Sequence, residues 1–361
     1  MSTWKVLPLG KATISLDWKR VPVKASERVA GPYPYYGASG IVDHVDGFLF
    51  DELSLLVSED GENLRSRKTP IAFLANGKYW VNNHAHVLRA ATGHDIRFIH
   101  YAMQVTDISG YLTGSTQPKL TAGSLAEIPL NAPALEEQQH IADLLSAMDG
   151  LIAQNRALID HMRTLATELV GLATRDTSLG SLSRPYTGKQ IRPLGPTEHY
   201  SLLAFDNEAT PDLVDGESIK SGKLPLSEPM VLVSRLNPKT ARSWMVYPGP
   251  GAVCSTEFVP LLGDEASVEE IWAATARDDF WDQMRSRVTG TTGSHQRVDR
   301  EDALSIAVPD VRTLAAHVRE EVVRLVRGIQ QLREEIESTV RARDELLPHL
   351  VAGTIEIETV A

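Results

Sequence analysis

The chain has almost no cysteine. Its one residue of that type, Cys254, excludes any intrachain disulfide, and the surrounding AVCSTEF spaces no histidine or acid to activate the thiol, so a small buried residue is expected there. No run approaches the roughly 18 apolar residues of a membrane span. The opening MSTWKVLPLGKATISLDWKR contains neither an unbroken apolar core nor a cleavage-like site, so the chain reads as cytoplasmic, with no membrane partner. Catalytic signatures are missing too: no GxxxxGK[ST], GxSxG, CxxC or HExxH occurs, and YYGASG at 35–40 does not complete GxGxxG. The Asn-Pro of RLNPKT is followed by Lys239 rather than by the second proline and aromatic of an amino-methyltransferase. Catalysis is not expected in this chain. His84 and His86 of NNHAHV would face one side of a strand, as metal ligands do, but no further ligands accompany them. Neither a metal nor a cofactor is assigned.

What is present is organised as a tandem. At 361 residues and 42% hydrophobic content the chain can bury two ordinary cores. Its net charge of −11 argues against nonspecific attraction to polyanions, yet residues 60–119 hold seven Lys/Arg against four acids, and residues 219–250 five against one. The phrase TGSTQPKLTAG at 113–123 returns as TGTTGSHQRVD at 289–299. Aligned on Gln117 and Gln296, each copy reaches a leucine eight residues on (Leu125, Leu304), then a short strand-like run ending in proline, then a long heptad helix. In the first helix Ile141, Met148, Asn155, Met162 and Leu169 recur every seven residues. Leu144, Leu151, Leu158, Leu165 and Leu172 follow three behind, and together the two rows are read as an apolar seam. In the second, Val318, Leu325, Leu332 and Leu346 share one seam position and Val322, Ile329, Ile336 and Leu350 the other, with Thr339 and Arg343 as a polar layer. The two seams can bury each other as an antiparallel coiled coil. Asn155 would fix the register with Thr339 or Arg343 as its partner; a solvent-filled irregularity is the alternative.

The expected fold class is α+β: two tandem α+β domains, each followed by a long helix. The boundaries fall at 1–134, 135–174, 175–310 and 311–361. Helical periodicity is expected within 93–112 and 267–287, the latter opened by a capping box of Ser267 and Glu270. Polar phrases in turn contexts carry the candidate contacts to phosphates and base edges. In the first domain these are Tyr36, Ser39, Asn82, Asn83, His84, Ser115, Thr116, Gln117 and Lys119. In the second they are Arg235, Asn237, Lys239, Arg242, Thr292, Ser294, His295, Gln296 and Arg297.

Over essentially its whole length the chain resembles the specificity subunit of type I restriction-modification systems. The resemblance rests on PYYGASGIVDHVDGFLFDELSLLVSEDG and VNNHAHVLR in the first domain, VLVSRLNPKTARSW and CSTEF in the second, and above all IPLNAPALEEQQHIADLLSAMDGLI entering the first helix. It implies two target recognition domains, each reading half of a bipartite site on double-stranded DNA. It implies a helix pair that spaces them and docks two methyltransferase subunits, with a motor-nuclease subunit where restriction operates. S-adenosylmethionine and ATP with magnesium would then belong to those partners. The second domain lacks YYGASG and SEDG and the first lacks SRLNP, which makes the recognition domains different subtypes reading unlike half-sites. A coiled-coil scaffold with protein-binding α+β domains, or the specificity subunit of a modification-only phage-defence system, are the alternatives.

Overall fold

The structure, a computed structural model, describes residues 4–289 and 296–355. The first α+β region contains β1 (Lys5–Pro8), α1 (Leu9–Ala12), β2 (Thr13–Ser15), β3 (Ala30–Gly37), β4 (Gly40–Val45), β5 (Phe50–Asp51) and β6 (Ser54–Ser58). It continues with α2 (Asn63–Ser66), β7 (Ala72–Ala75), β8 (Lys78–Val81), β9 (Ala85–Ala90), α3 (Ile96–Val105), α4 (Ala122–Glu127) and β10 (Pro129–Ala132). Two four-stranded sheets form, in the orders β2-β9-β6-β7 and β4-β3-β8-β5, and β1 pairs with β10. The continuous apolar run SLLVS is explained by its place: β6 lies between β9 and β7 and is buried at every position. Leu55 and Val57 join the cluster that includes Phe98 and Ile99 of α3, while Leu56 points the other way, into Phe50, Tyr79 and Val81.

After α5 (Leu135–Val170) the second region repeats this plan. Its elements are β11 (Asp176–Ser178), β12 (Ser183–Pro185), β13 (Pro196–Tyr200), α6 (Leu202–Asp206), β14 (Asp212–Asp215), β15 (Leu224–Pro225), β16 (Met230–Ser234) and β17 (Ser243–Val246). They continue with β18 (Val253–Cys254), β19 (Phe258–Gly263), α7 (Val268–Thr275), α8 (Asp278–Ser286), α9 (Arg300–Leu304) and β20 (Ala307–Pro309). The sheet orders β12-β19-β16-β17 and β14-β13-β18-β15 match the first set strand for strand, including one parallel pair in each copy, β3 with β8 and β13 with β18. MVLVS of β16 divides its side chains between two clusters just as SLLVS does. The capping box forms, Ser267 Oγ accepting from Glu270 N and Glu270 Oε2 accepting from Ser267 N. The helical stretch expected over 267–287 is two helices, α7 and α8.

The regions share one topology, on which YYGASG ends β3 and SRLNP leaves β16. One sequence expectation is corrected by this repeat: the alignment on the two glutamines is one residue out. Leu120 N donates to Glu59 O and Val298 N to Arg235 O, which pairs Leu120 with Val298 and Pro118 with Gln296. Ala303, not Leu304, is then the counterpart of Leu125, and both are 2% exposed.

The long helices are α5 and α10 (Ala316–Ala352). By compactness the chain divides into Met1–Gln154 with Ile336–Ala361, and Asn155–Glu335, so each unit holds part of both helices. In the first unit Ile141, Ala142 and Leu145 pack with Leu347, Leu350 and Val351. In the second, Ala166 and Val170 pack with Val322, Leu325, Val326 and Ile329. The pairing there is antiparallel: Asn155 Nδ2 meets Glu335 Oε2 at 3.1 Å, and seven residues further along α5, Met162 lies against Gly328, seven residues back on α10.

One row of the α10 seam is as read, with Val322, Ile329, Ile336 and Leu350 all buried; in the other, Leu325 is buried and Val318, Leu332 and Leu346 are half-buried. The α5 seam is not as read. Its inward row beside Ile141 and Asn155 is Leu145, Ile152 and Ala166, whereas Leu144, Leu151, Leu158, Leu165 and Leu172 are 38–63% exposed. A stagger of four then three residues replaces three then four, because the rows at 144 and 145 are both apolar and only one can face the partner helix. Asn155 is 7% exposed and its partner is Glu335. Arg343 instead donates to Asp149 at 2.6 Å in the first unit. Thr339 is half-buried.

Candidate nucleic-acid interface

Both copies build the same frame where the inner strand ends. In the first unit Glu59, the residue after β6, donates its N–H to His84 O and accepts from Leu120 N, while Gly61 N donates to Pro118 O. In the second, Arg235 after β16 donates to Glu257 O and accepts from Val298 N, while Asn237 N donates to Gln296 O. Gly61 and Asn237 both have positive φ, +113° and +49°, a turn that glycine and asparagine enter at low cost. The turns that follow β8 and β18 also agree: Asn82 N and Ser255 N donate to the carbonyls of Tyr36 and Tyr200. Asn82 Oδ1 and Ser255 Oγ then cap the N–H of His84 and Glu257. The repeated TG phrases are ladders closed by Thr113 with Lys119 and by Thr289 with Arg297, each threonine hydroxyl donating to the far carbonyl.

The side chains on this shared frame differ in charge. In the first unit Arg20 donates to Glu59 Oε2 at 2.7 Å and to Ala85 O at 2.8 Å, and Lys119 Nζ lies 3.1 Å from Glu59 Oε1. His86, 1% exposed, places Nδ1 2.6 Å from Asp17 Oδ2 and Nε2 2.8 Å from Leu120 O. Burial pulls the imidazole pKa down, but the Asp17 hydrogen bond, the Leu120 carbonyl and the charges of Asp17 and Glu59 more than reverse this, and it stands above its ordinary value. Burial likewise works against the Asp17 and Glu59 carboxylates, and their partners hold both below the usual range. In the second unit the acid is Glu257, bound through both oxygens by Arg297 at 2.9 and 2.7 Å, chiefly by whose hydrogen bonds it is held low.

Several candidate residues are exposed on the frame. Ser39 sits at the β3–β4 turn, Asn83 and His84 follow β8, and Ser115, Thr116 and Gln117 lie on the loop that Arg65 anchors by donating to Gly114 O at 2.8 Å. Lys239 is exposed beyond the Asn237 turn. Others are scaffold. Tyr36 stacks on Phe73 and meets Tyr79 edge-on, and Asn82 is 8% exposed with its amide in the turn. Arg242, also 8% exposed, is held by both oxygens of Asp206 at 2.7 Å. Thr292, Ser294 and His295 lie outside the described residues.

Six of the twelve cations in the two basic stretches, Arg65, Arg67, Arg89, Arg97, Lys119 and Arg242, have partners within the fold, while Lys68, Lys78 and Lys239 are exposed. His84 and His86 do not share a side: His84 precedes β9, so strand alternation does not govern it, and its Nδ1 lies 2.8 Å from Asp60. Among the described residues no group of three or more His, Cys, Asp or Glu could hold a metal ion. Burial pushes the Cys254 thiol up to about 12, as suits an inert packing residue. No described helix is long and apolar enough to cross a membrane.

Asp17, Arg20, Glu59, Arg65, Glu257 and Arg300 were not among the candidates. The signal for one of them was present: SLLVSED and MVLVSRL are the same strand end, which puts Glu59 in the place of the candidate Arg235. Gln138 is fully buried, donating to Pro133 O and accepting from Asp95 N, which ties the first turn of α5 to the start of α3.

An α+β domain present twice, with different side chains on one main-chain frame and a long helix after each copy, defines a tandem two-domain fold. Residues 1–161 match the family described as type I restriction modification DNA specificity domain. A putative type I restriction enzyme specificity subunit from Haemophilus influenzae is 34% identical over 151 residues, 42% of this chain and 38% of that protein. The EcoprrI specificity subunit from Escherichia coli is 29% identical over 122 residues, 33% of this chain and 28% of that one. The chain thus spans about a third of the length of these curated relatives. The solved type I restriction-modification S subunit from M. genitalium shares the fold over 99% of this chain and 97% of its own, with a TM-score of 0.66 at 16% identity. Residues 1–161 thus carry the sequence likeness to these specificity subunits, and the likeness over the whole chain is one of fold.

Proposed function

We propose that the chain is the non-catalytic subunit that reads a bipartite, asymmetric DNA site, one half with each α+β domain. The observation that carries this is the shared strand-end frame with exchanged side chains: Glu59, Asp60, His84 and Lys119 in one copy stand where Arg235, Leu236, Glu257 and Arg297 stand in the other. Main-chain bonds fix the loops, and the side chains are left to discriminate bases. Two methyltransferase subunits dock on the helices, and the outward leucines of α5 supply apolar surface for them. S-adenosylmethionine is bound by those subunits, and ATP with magnesium by a motor-nuclease subunit where one joins. The test is a gel shift of the chain with its methyltransferase partners over a range of salt, followed by exchange of residues 175–310 for the equivalent domain of a relative. Affinity should fall with salt through counterion release, and the exchange should alter one half-site only. Changes in both halves, or salt-independent binding, would refute the reading and favour a protein-binding scaffold.

A further inference from the structure

The frame is occupied in one unit and open in the other. Leu16 N donates to Val87 O and Tyr186 N to Pro260 O, so Thr187 stands at the place of Asp17, Gln190 at that of Arg20 and Val259 at that of His86; Arg235 replaces Glu59. Four mutually bonded ionic side chains of the first unit thus become Thr, Gln, Val and one arginine. The second unit has a cleft of about 310 Å³ there, lined by Arg235 and Arg300 and by Tyr186, Thr187, Gln190 and Thr256. Arg300 donates to Tyr186 O at 2.9 Å. Arg235 Nε is buried with no hydrogen-bond partner among the described residues. The nearby Glu257 feels its charge, but both oxygens of that carboxylate are taken by Arg297. A Cβ at Gly188 would collide with the Tyr186 ring, so glycine lets the ring lie across this lining segment.

We propose that this cleft is a phosphate pocket and that its occupant is a backbone phosphate of the DNA held by the second unit. A guanidinium whose Nε is buried without a hydrogen-bond partner among the described residues, beside a carboxylate already bound through both oxygens by Arg297, is costly unless a ligand supplies an acceptor, and guanidinium groups match phosphate oxygens in geometry. Thr187, Gln190 and Thr256 add neutral donors around the two cations. At the matching place of the first unit the residue is an acid, Glu59, and Arg20 and Lys119 are its partners. The inference of a DNA occupant rests on the reading proposed above; the phosphate chemistry does not.

The test pairs Arg235→Gln with Arg235→Lys in the full chain. With the methyltransferase partners and a methylatable duplex, Arg235→Gln should reduce the slope of log affinity against log salt by about 0.9, one phosphate contact, and Arg235→Lys should retain it. Titration of the chain alone with inorganic phosphate, followed by phosphorus NMR, should show binding that Arg235→Gln abolishes. Arg235→Gln should also keep or raise thermal stability, which a structural arginine would not do. Phosphate binding with an unchanged slope keeps the pocket and assigns it to free phosphate. No phosphate binding by the parent chain, with the slope unchanged in both variants, overturns it. A parent complex whose DNA binding ignores salt refutes the DNA reading, and the phosphate titration still decides the pocket.

Discussion

Glu59 has two cations at similar distances and they should not be worth the same. Arg20 lies at 2.7 Å with its side chain 14% exposed; Lys119 lies at 3.1 Å with its side chain 50% exposed. Distance alone would rank them nearly equal. Burial decides otherwise, because a desolvated carboxylate that loses a buried partner costs about 3 kcal/mol, while a solvated pair is worth about 0.5–1 kcal/mol. Arg20→Met should therefore destabilise the first unit by about 3 kcal/mol and Lys119→Met by under about 1 kcal/mol. The whole chain will not unfold in one step, so the readout is native-state hydrogen exchange at Leu120, whose N–H donates to Glu59 O at 2.8 Å. Exchange should accelerate about 150-fold in the first variant and less than about 5-fold in the second, at about 1.4 kcal/mol per tenfold. In Arg20→Met with Glu59→Met, removing both charges should recover part of the loss; Asp17, 3.3 Å from Arg20, and Ala85 O keep the recovery incomplete. Equal effects of the two single variants, or a larger one for Lys119→Met, would refute burial as the deciding factor.

The same network sets a pH window. His86, with its raised pKa, stabilises the first unit fully below its unfolded value of about 6.5 and loses that contribution as pH rises through the folded value. Asp17 and Glu59, with lowered pKa values, contribute above about 4.5 and lose it as pH falls through their folded values. Leu120 exchange, corrected for its intrinsic pH dependence, should therefore be slowest between about pH 4.5 and 6.5, and His86→Gln should remove the upper edge. On α5, Leu145→Ala should cost about 2–5 kcal/mol, read by native-state hydrogen exchange in the first unit. Leu144→Ala next to it should cost under about 0.5 kcal/mol while weakening methyltransferase association in a pull-down.

Sequence pattern reached the tandem, α3, the Ser267 capping box and one row of the α10 seam, because each is a local or strictly periodic signal. It failed on α5, where apolar rows at 144 and at 145 compete and only the partner helix selects between them. It failed again on the cations. Arg242 pairs with Asp206 and Lys119 with Glu59, partners 36 and 60 residues away, and nothing in a charge count records such distances. Asn82 caps a turn with its Oδ1 while its N–H bonds Tyr36 across the sheet, a pairing between residues 46 positions apart that the local sequence does not record.

The main-chain bonds that hold the two loops have a consequence for how such a protein can change. Glu59, His84, Pro118 and Leu120 in one copy, and Arg235, Glu257, Gln296 and Val298 in the other, use only N–H and C=O groups to fix the frame. Those groups are the same whatever side chain is attached. A lineage can therefore substitute acid for base, or proline for glutamine at a carbonyl position, without losing the loop that presents it. The exchange is complete only when the charged neighbours change with it, as Arg20 and Lys119 would have to for Glu59.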